Sequence, residues 1–271
     1  MGKKVHLVLG SGGARGIAHI GAIETLEEAG FEIVSIAGCS MGAVVGGIYA
    51  AGYQKAYKDW MLTLTKSMVF DILDFTMARH GFFKGERIFN ILEKMTGPQN
   101  IEDMKIAFTA VSADMAVNEE VHFTSGDLYK ALRASIGIPG VFTPVVEGGK
   151  FLVDGGVLNP LPLNLVRKKD DEMVVAVNLN GRASITDGDL KLDENQEAIS
   201  TISKWITMLG QNSKAGPNES IMVSEYSLTD LLRSSYRMTQ DRVTQLMLVL
   251  HPPDILIEIP RNTCSTFDFH K

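Results

Sequence analysis

Two cysteines, Cys39 and Cys264, are all that the 271 residues contain, which excludes a disulfide-stapled fold. Long apolar runs are missing as well: no stretch reaches the roughly 18 residues that a spanning helix needs. The N-terminal Met1-Gly2-Lys3-Lys4 leads into an apolar segment of about five residues, too short for a secretory signal. Gly2 lacks the Ser or Thr at position six that myristoylation asks for, since His6 stands there. These absences read as a cytoplasmic protein, with any contact to membranes peripheral and transient. Positive charge is also in short supply. Lys and Arg number 26 against 32 Asp and Glu, a net charge of −6, which argues against nucleic acid or an anionic membrane as partner. No His, Cys or acidic cluster has metal-ligand spacing, so neither a metal nor a cofactor is expected. No linker, repeat or low-complexity tract divides the chain before the polar stretch 180–196, so residues 1–271 read as one domain.

What is present is glycine, 26 residues of it, and two clusters sit where glycine has a mechanical use. The run Ile33-Val34-Ser35-Ile36-Ala37 is strand-like and Ala43 to Ala50 is helix-like. Between them lies Gly38-Cys39-Ser40-Met41-Gly42, a serine on a glycine-flanked strand-to-helix turn. A nucleophile elbow has this form, with Gly38 and Gly42 where any side chain would strike the adjoining strand and helix. Upstream, Val5-His6-Leu7-Val8-Leu9 runs into Gly10-Ser11-Gly12-Gly13-Ala14-Arg15-Gly16, and an amphipathic helix follows to Gly30. Glycines at a helix mouth leave N–H groups aimed at an anion. That anion is a phosphate or the oxyanion of acyl transfer. Arg15 occupies the third fingerprint position of a dinucleotide loop, and no Gly-Lys-Ser or Gly-Lys-Thr follows, so the oxyanion reading is favoured. It makes the Gly12 and Gly13 N–H groups donors, with Arg15 either a nearby positive charge or a clamp on the loop.

The elbow lies too early for an α/β-hydrolase of the usual order, and the base is a separate question. His6, His19 and His122 fall in strands or a helix as structural residues, whereas His251 and His270 are better placed but have no supporting motif. Asp154 has the stronger claim. It ends the short strand Phe151-Leu152-Val153 and precedes Gly155-Gly156, which lets another backbone approach closely. Asp114 competes from the end of another strand without the glycines, and a loop-capping role suits it better. Cys39, next to the serine, reads as packed.

Taken in order, the glycine loop with Arg15, the Gly38 to Gly42 pentapeptide, Ala134-Ser135-Ile136-Gly137-Ile138-Pro139 and Asp154-Gly155-Gly156 resemble the motif set of the patatin-like phospholipases. The resemblance covers residues 4–180 best and is nearest to short bacterial members. It implies a three-layer α/β/α wound sheet with the elbow after the second strand. It implies Ser40 as nucleophile, Asp154 as its partner in a dyad, and Gly12, Gly13 and Arg15 in the oxyanion region. The activity implied is lipid acyl hydrolysis or carboxylester hydrolysis through an acyl-enzyme, on a lipid or other ester substrate, with oligomeric state left open. Two other classes stand beside it: a catalytically silent adaptor of the same fold that binds a protein partner, and a nucleotide-binding module.

The remaining segments are read by pattern. Strands are expected near 4–9, 33–37, 106–113, 120–124, 151–153, 173–178 and 254–259. Helices are expected near 16–29, 41–52, 54–66, 86–95, 127–134 and 160–168. Residues 60–100 hold a density of Trp, Met, Phe and Leu that suits a lid or an acyl trough as well as a core helix, with Ile136 to Pro144 as an opposite wall. Residues 197–250 read as mainly helical. The close, Thr266 to Lys271, resembles a family segment that runs on into one more helix, so a truncated C-terminal helix is expected.

Overall fold

The computed structural model describes residues 2–78, 81–182, 228–265 and 268–270. In chain order the strands are β1 (Lys3–Leu9), β2 (Phe31–Cys39), β3 (Phe75–Ala78), β4 (Gly81–Phe83), β5 (Ala107–Asp114), β6 (Glu119–Phe123), β7 (Val145–Glu147), β8 (Lys150–Asp154), β9 (Met173–Gly181) and β10 (Ile255–Pro260). The α-helices are α1 (Ile17–Glu28), α2 (Met41–Ala50), α3 (Gln54–Met61), α4 (Lys66–Ile72), α5 (Glu86–Thr96), α6 (Leu128–Ser135) and α7 (Leu228–Leu250).

Eight strands make one mixed sheet in the order β10-β9-β1-β2-β5-β8-β7, with β6 on β5, while β3 and β4 form a separate hairpin. The half from β10 to β5 is parallel, and β6, β7 and β8 run antiparallel to their neighbours. Both faces of β1, β2, β5 and β9 are covered, so these strands carry runs of buried, mostly apolar residues rather than an alternating pattern. On one face Val5, Leu7, Leu9, Val175 and Val177 join Ile20 and Ile23 of α1, Val45 and Ile48 of α2 and Leu132 of α6 in the main core. On the other face Val8, Val174 and Ala176 pack with Leu161 and Leu163, and with Met247 and Leu248 of α7. Helix, sheet and helix make the three-layer α/β/α arrangement. No described helix is long and apolar enough to cross a membrane.

The crossovers place the site. From β1 through α1 to β2, and onward to β5, the chain steps one way along the sheet; β9 returns to the other side of β1. The loops after β1 and β2 therefore open beside this reversal, outside the carboxyl ends of parallel strands, where open α/β sheets place their ligands.

Several sequence expectations change. The helix expected at 160–168 is absent, and only a short 3-10 turn forms at Leu163–Leu165. Pro160 and Pro162 explain it, since each lacks an N–H and pushes the preceding residue out of the helical region. The helix expected at 54–66 breaks into α3 and α4, with the Thr65 hydroxyl accepting from Met68 N–H at 3.3 Å to start the second. The short strands β3, β4 and β7 were not expected. The helical expectation for 197–250 is met by α7 over 228–250. Its remainder, and the polar loop beyond residue 182, lie outside the described residues, as do parts of the C-terminal segment.

Candidate active site

Strand β5 brings the two halves of the site together. Along one edge β5 pairs with β6; along the other it pairs first with β2, Cys39 beside Val111, and then with β8, Asp154 beside Ser112. Parallel β2 and antiparallel β8 thus approach end to end over consecutive residues of β5. The residue after β2 is Ser40 and the last residue of β8 is Asp154. The Ser40 hydroxyl donates to Asp154 Oδ2 at 2.6 Å, a length typical of an O–H bond to a carboxylate, and both residues are buried.

Ser40 holds φ 56° and ψ −125°, a left-handed conformation that side chains avoid. Its surroundings enforce it. A β-carbon at Gly42 would lie 2.1 Å from the Leu9 carbonyl oxygen, and one at Gly38 would lie 2.6 Å from Ala43 Cα. Only with glycine at both places does α2 close onto the ends of β1 and β2. The Ser40 N–H donates to the Ser135 hydroxyl at 2.9 Å, and that hydroxyl donates on to the Val111 carbonyl at 2.6 Å. Ser135 lies in the Ala134 to Pro139 motif, but sequence alone assigned it no task.

Asp154 Oδ1 accepts the Gly156 N–H at 2.7 Å and the Cys39 thiol at 3.9 Å. A β-carbon at Gly155 would meet the Val111 carbonyl oxygen at 2.4 Å, so this glycine also permits backbone contact with β5. Burial raises the Asp154 carboxyl from 3.8 to about 6, against the opposing pull of Ser40, Gly156 and Cys39. Burial first, and then the Asp154 charge, hold the Cys39 thiol protonated, as a packed cysteine.

The glycine loop faces the serine. Gly13, at φ 58°, lines the same cavity as Ser40. Among the described residues nothing accepts from the N–H of Gly12 or Gly13. A β-carbon at Gly12 would meet Leu179 Cβ at 2.4 Å, which fixes the loop against β9. Arg15 is buried and points its guanidinium into carbonyls: Nε to Leu179 at 2.9 Å, Nη1 to Arg261 at 3.3 Å and Cys264 at 3.0 Å, and Nη2 to Asn180 Oδ1 at 3.1 Å. That is the geometry of a clamp. His19 Nε2 holds the Gly10 carbonyl at 2.8 Å, and burial lowers its imidazole to about 4, so it donates as a neutral ring.

The other candidates lie elsewhere. His6 bridges Ser35 at 2.6 Å and Glu172 at 2.7 Å, and His122 bonds Glu120 at 2.7 Å. Asp114 caps the N–H groups of Ala116 and Phe151 at 2.9 and 3.2 Å. Two residues that sequence reasoning missed, Tyr236 and Gln240 of α7, stand over Gly156; helical spacing gave no signal for them.

Beside Ser40 lies a cavity of about 70 Å³ lined almost wholly by carbon. Tyr57, Trp60 and Met61 of α3, Val69 and Ile72 of α4, and Ile136, Ile138 and Phe142 across from them form its walls. Arg133 lies 5.8 Å from the Phe142 ring centre and donates to the Thr143 carbonyl at 2.7 Å, fixing that wall.

The description "Patatin-like phospholipase" belongs to a family model that matches residues 7–167. An uncharacterized NTE family protein of Mycobacterium tuberculosis is 32% identical over 99% of this chain and 87% of its own length. Patatin-like phospholipase domain-containing protein 7 of Rattus norvegicus is 32% identical over 67% of this chain and 14% of its own. Among solved structures, VipD from Legionella pneumophila superimposes with a TM-score of 0.44 at 15% identity, covering 92% of this chain and 67% of that one.

Proposed function

Since the chain belongs to the patatin-like phospholipase family, we propose that it hydrolyses carboxylic esters of lipids through Ser40 and Asp154, with no imidazole in the relay. Asp154 Oδ2 takes the Ser40 proton as the hydroxyl oxygen attacks the ester carbonyl. The negative charge that develops on the carbonyl oxygen is met by the N–H groups of Gly12 and Gly13. Collapse of the tetrahedral species expels the alcohol, which receives the proton back from Asp154, and leaves an acyl group on Ser40. Water then attacks with Asp154 as base again, and the acid departs. A carboxylate is a weak base for an alcohol; burial, which raises Asp154 to about 6, brings it nearer the working range.

The observation that carries this reading is the 2.6 Å bond between Ser40 Oγ and Asp154 Oδ2. The carbon-lined cavity beside it suits an acyl chain. At about 70 Å³ it is smaller than the roughly 150 Å³ cavity that accepts benzene. Short acyl groups fit it directly, and longer ones need Met41 and Met61, both flexible, to turn aside.

A fluorophosphonate probe tests the assignment. The native chain is expected to be labelled at Ser40, and Ser40→Ala not at all. Asp154→Asn is expected to lose about 10²- to 10⁴-fold in kcat/KM on a nitrophenyl ester, the usual worth of a positioned base. A native chain that resists the probe would place this protein with binding modules of the same fold.

A further inference from the structure

Helix α7 meets the site at Gly156, and that residue also holds the base. Its N–H donates to Asp154 Oδ1 at 2.7 Å, and its carbonyl accepts from Gln240 Nε2 at 3.0 Å. The same Gln240 amide donates to the Tyr236 hydroxyl at 3.0 Å. A β-carbon at Gly156 would lie 2.4 Å from Gln240 Nε2, 2.9 Å from Asp154 Oδ1 and 3.3 Å from the Tyr236 oxygen, so three polar groups from two elements converge where this glycine has no side chain. Among the described residues the Tyr236 O–H has no acceptor.

We propose that α7 is the cover that keeps water from Asp154, with Tyr236 and Gln240 as positioning residues that act on the base through Gly156. The proposal rests on the reading of Asp154 as the base. Oδ2 is taken by Ser40, so Oδ1 is the side on which water would solvate the carboxylate. Gly156 N–H supplies one bond there, and the Tyr236 hydroxyl and the Gln240 amide stand on the same side, each beside the point where a Gly156 β-carbon would meet Oδ1. The groups that face the carboxyl are then the Ser40 hydroxyl from the elbow, the Cys39 thiol from β2, the Gly156 amide and the Tyr236 phenol from α7, while the charge of Glu120 of β6 acts on the Cys39 thiol. None carries positive charge, so burial dominates the strength of this base. Burial, and then the charges of Asp154 and Cys39, also hold the Tyr236 phenol protonated, so at working pH it shields the carboxyl as a neutral group.

The test reads the Asp154 midpoint in two ways. Tyr236→Ala is expected to lower kcat/KM on a short nitrophenyl ester about tenfold and to move the acid limb of its pH profile about one unit lower, as water reaches Oδ1. Tyr236→Phe keeps the ring and is expected to keep the limb in place; Gln240→Ala is expected to move it in the same direction by less. The second readout needs no activity: the stability difference between each chain and its Asp154→Asn counterpart, followed against pH, changes between the unfolded-state and folded-state pKa of Asp154, so its midpoint follows the folded value at half the distance. An acid limb and a stability midpoint both unmoved in folded Tyr236→Ala would overturn the cover. If Tyr236→Ala does not fold, an unmoved midpoint in Gln240→Ala does the same. A native chain without probe labelling but with a midpoint that moves would instead sink the catalytic reading and leave α7 as the cover.

Discussion

Ser40 and Asp154 both sit in states that a free chain avoids. A left-handed serine costs on the order of 1–3 kcal/mol, sustained only because Gly38, Gly42 and the Ser135 hydroxyl leave the backbone no other course. The shift of Asp154 from 3.8 to about 6 corresponds to about 3 kcal/mol of lost stability at neutral pH. The sign follows from proton binding. The folded state holds this proton more tightly than the unfolded one, so the contribution is fully favourable below about pH 4 and is lost as pH rises through about 6. Asp154→Asn is therefore expected to melt on the order of 5 °C higher than the native chain at pH 8, with the gap closing toward pH 4. A lower melting temperature at pH 8 would mean that the bonds from Ser40 and Gly156 outweigh burial. These two residues were legible in the sequence because their flanking glycines mark a required backbone shape. Ser135 and Gln240 were not, because each acts on a backbone group far away in the chain and carries no mark at its own position.

At the scale of elements, periodicity located the longer strands and helices and failed where pattern is short. Strands β3, β4 and β7 have three or four residues each, too few to display alternation. The segment 160–168 has the apolar content of a helix, but its prolines decide otherwise. Glycine is the element-level signal that matters most, and its meaning depends on what lies across from it. Gly42 in α2 and Gly21 in α1 are both helical, yet a β-carbon meets the Leu9 carbonyl at 2.1 Å in the first case and nothing within 4 Å in the second. Gly42→Ala must push α2 off the end of β1, and a loss of about 3 kcal/mol or more is expected. Gly21→Ala sits on an exposed face and is expected to gain about 0.5–1 kcal/mol from helix propensity. Denaturant titration of both variants checks the pair, and equal effects would mean that the close approach of α2 and β1 is not what holds the elbow.

For the whole molecule, the question is what keeps the glycine loop in register with a serine that belongs to another strand. Arg15 spans the distance: it starts in the loop after β1, reaches the end of β9 at Leu179 and Asn180, and continues to the carbonyls of Arg261 and Cys264 beyond β10. Asn180 returns the tie by donating to the Ser11 carbonyl at 2.9 Å, and Arg261 bonds both the Asn180 carbonyl at 3.0 Å and Asp241 of α7 at 2.5 Å. The loop, one edge of the sheet and α7 are thus joined by guanidinium forks. Sequence put Arg15 in the glycine loop but left open whether its charge or its shape mattered, since the carbonyls it meets lie more than 160 residues away. Substitution separates the two. Lys keeps the charge but cannot reproduce a planar set of donors, whereas Met keeps neither. If shape matters, Arg15→Lys and Arg15→Met are expected to suffer alike, each losing about 2–4 kcal/mol of stability as buried carbonyls go unmet, together with a fall in kcat at little change in KM. Thermal melts and initial rates on a soluble ester measure both effects. Near-native turnover in Arg15→Lys alongside a collapse in Arg15→Met would return the role to charge, and the oxyanion would then owe its stabilisation to the cation as well as to the amides of Gly12 and Gly13.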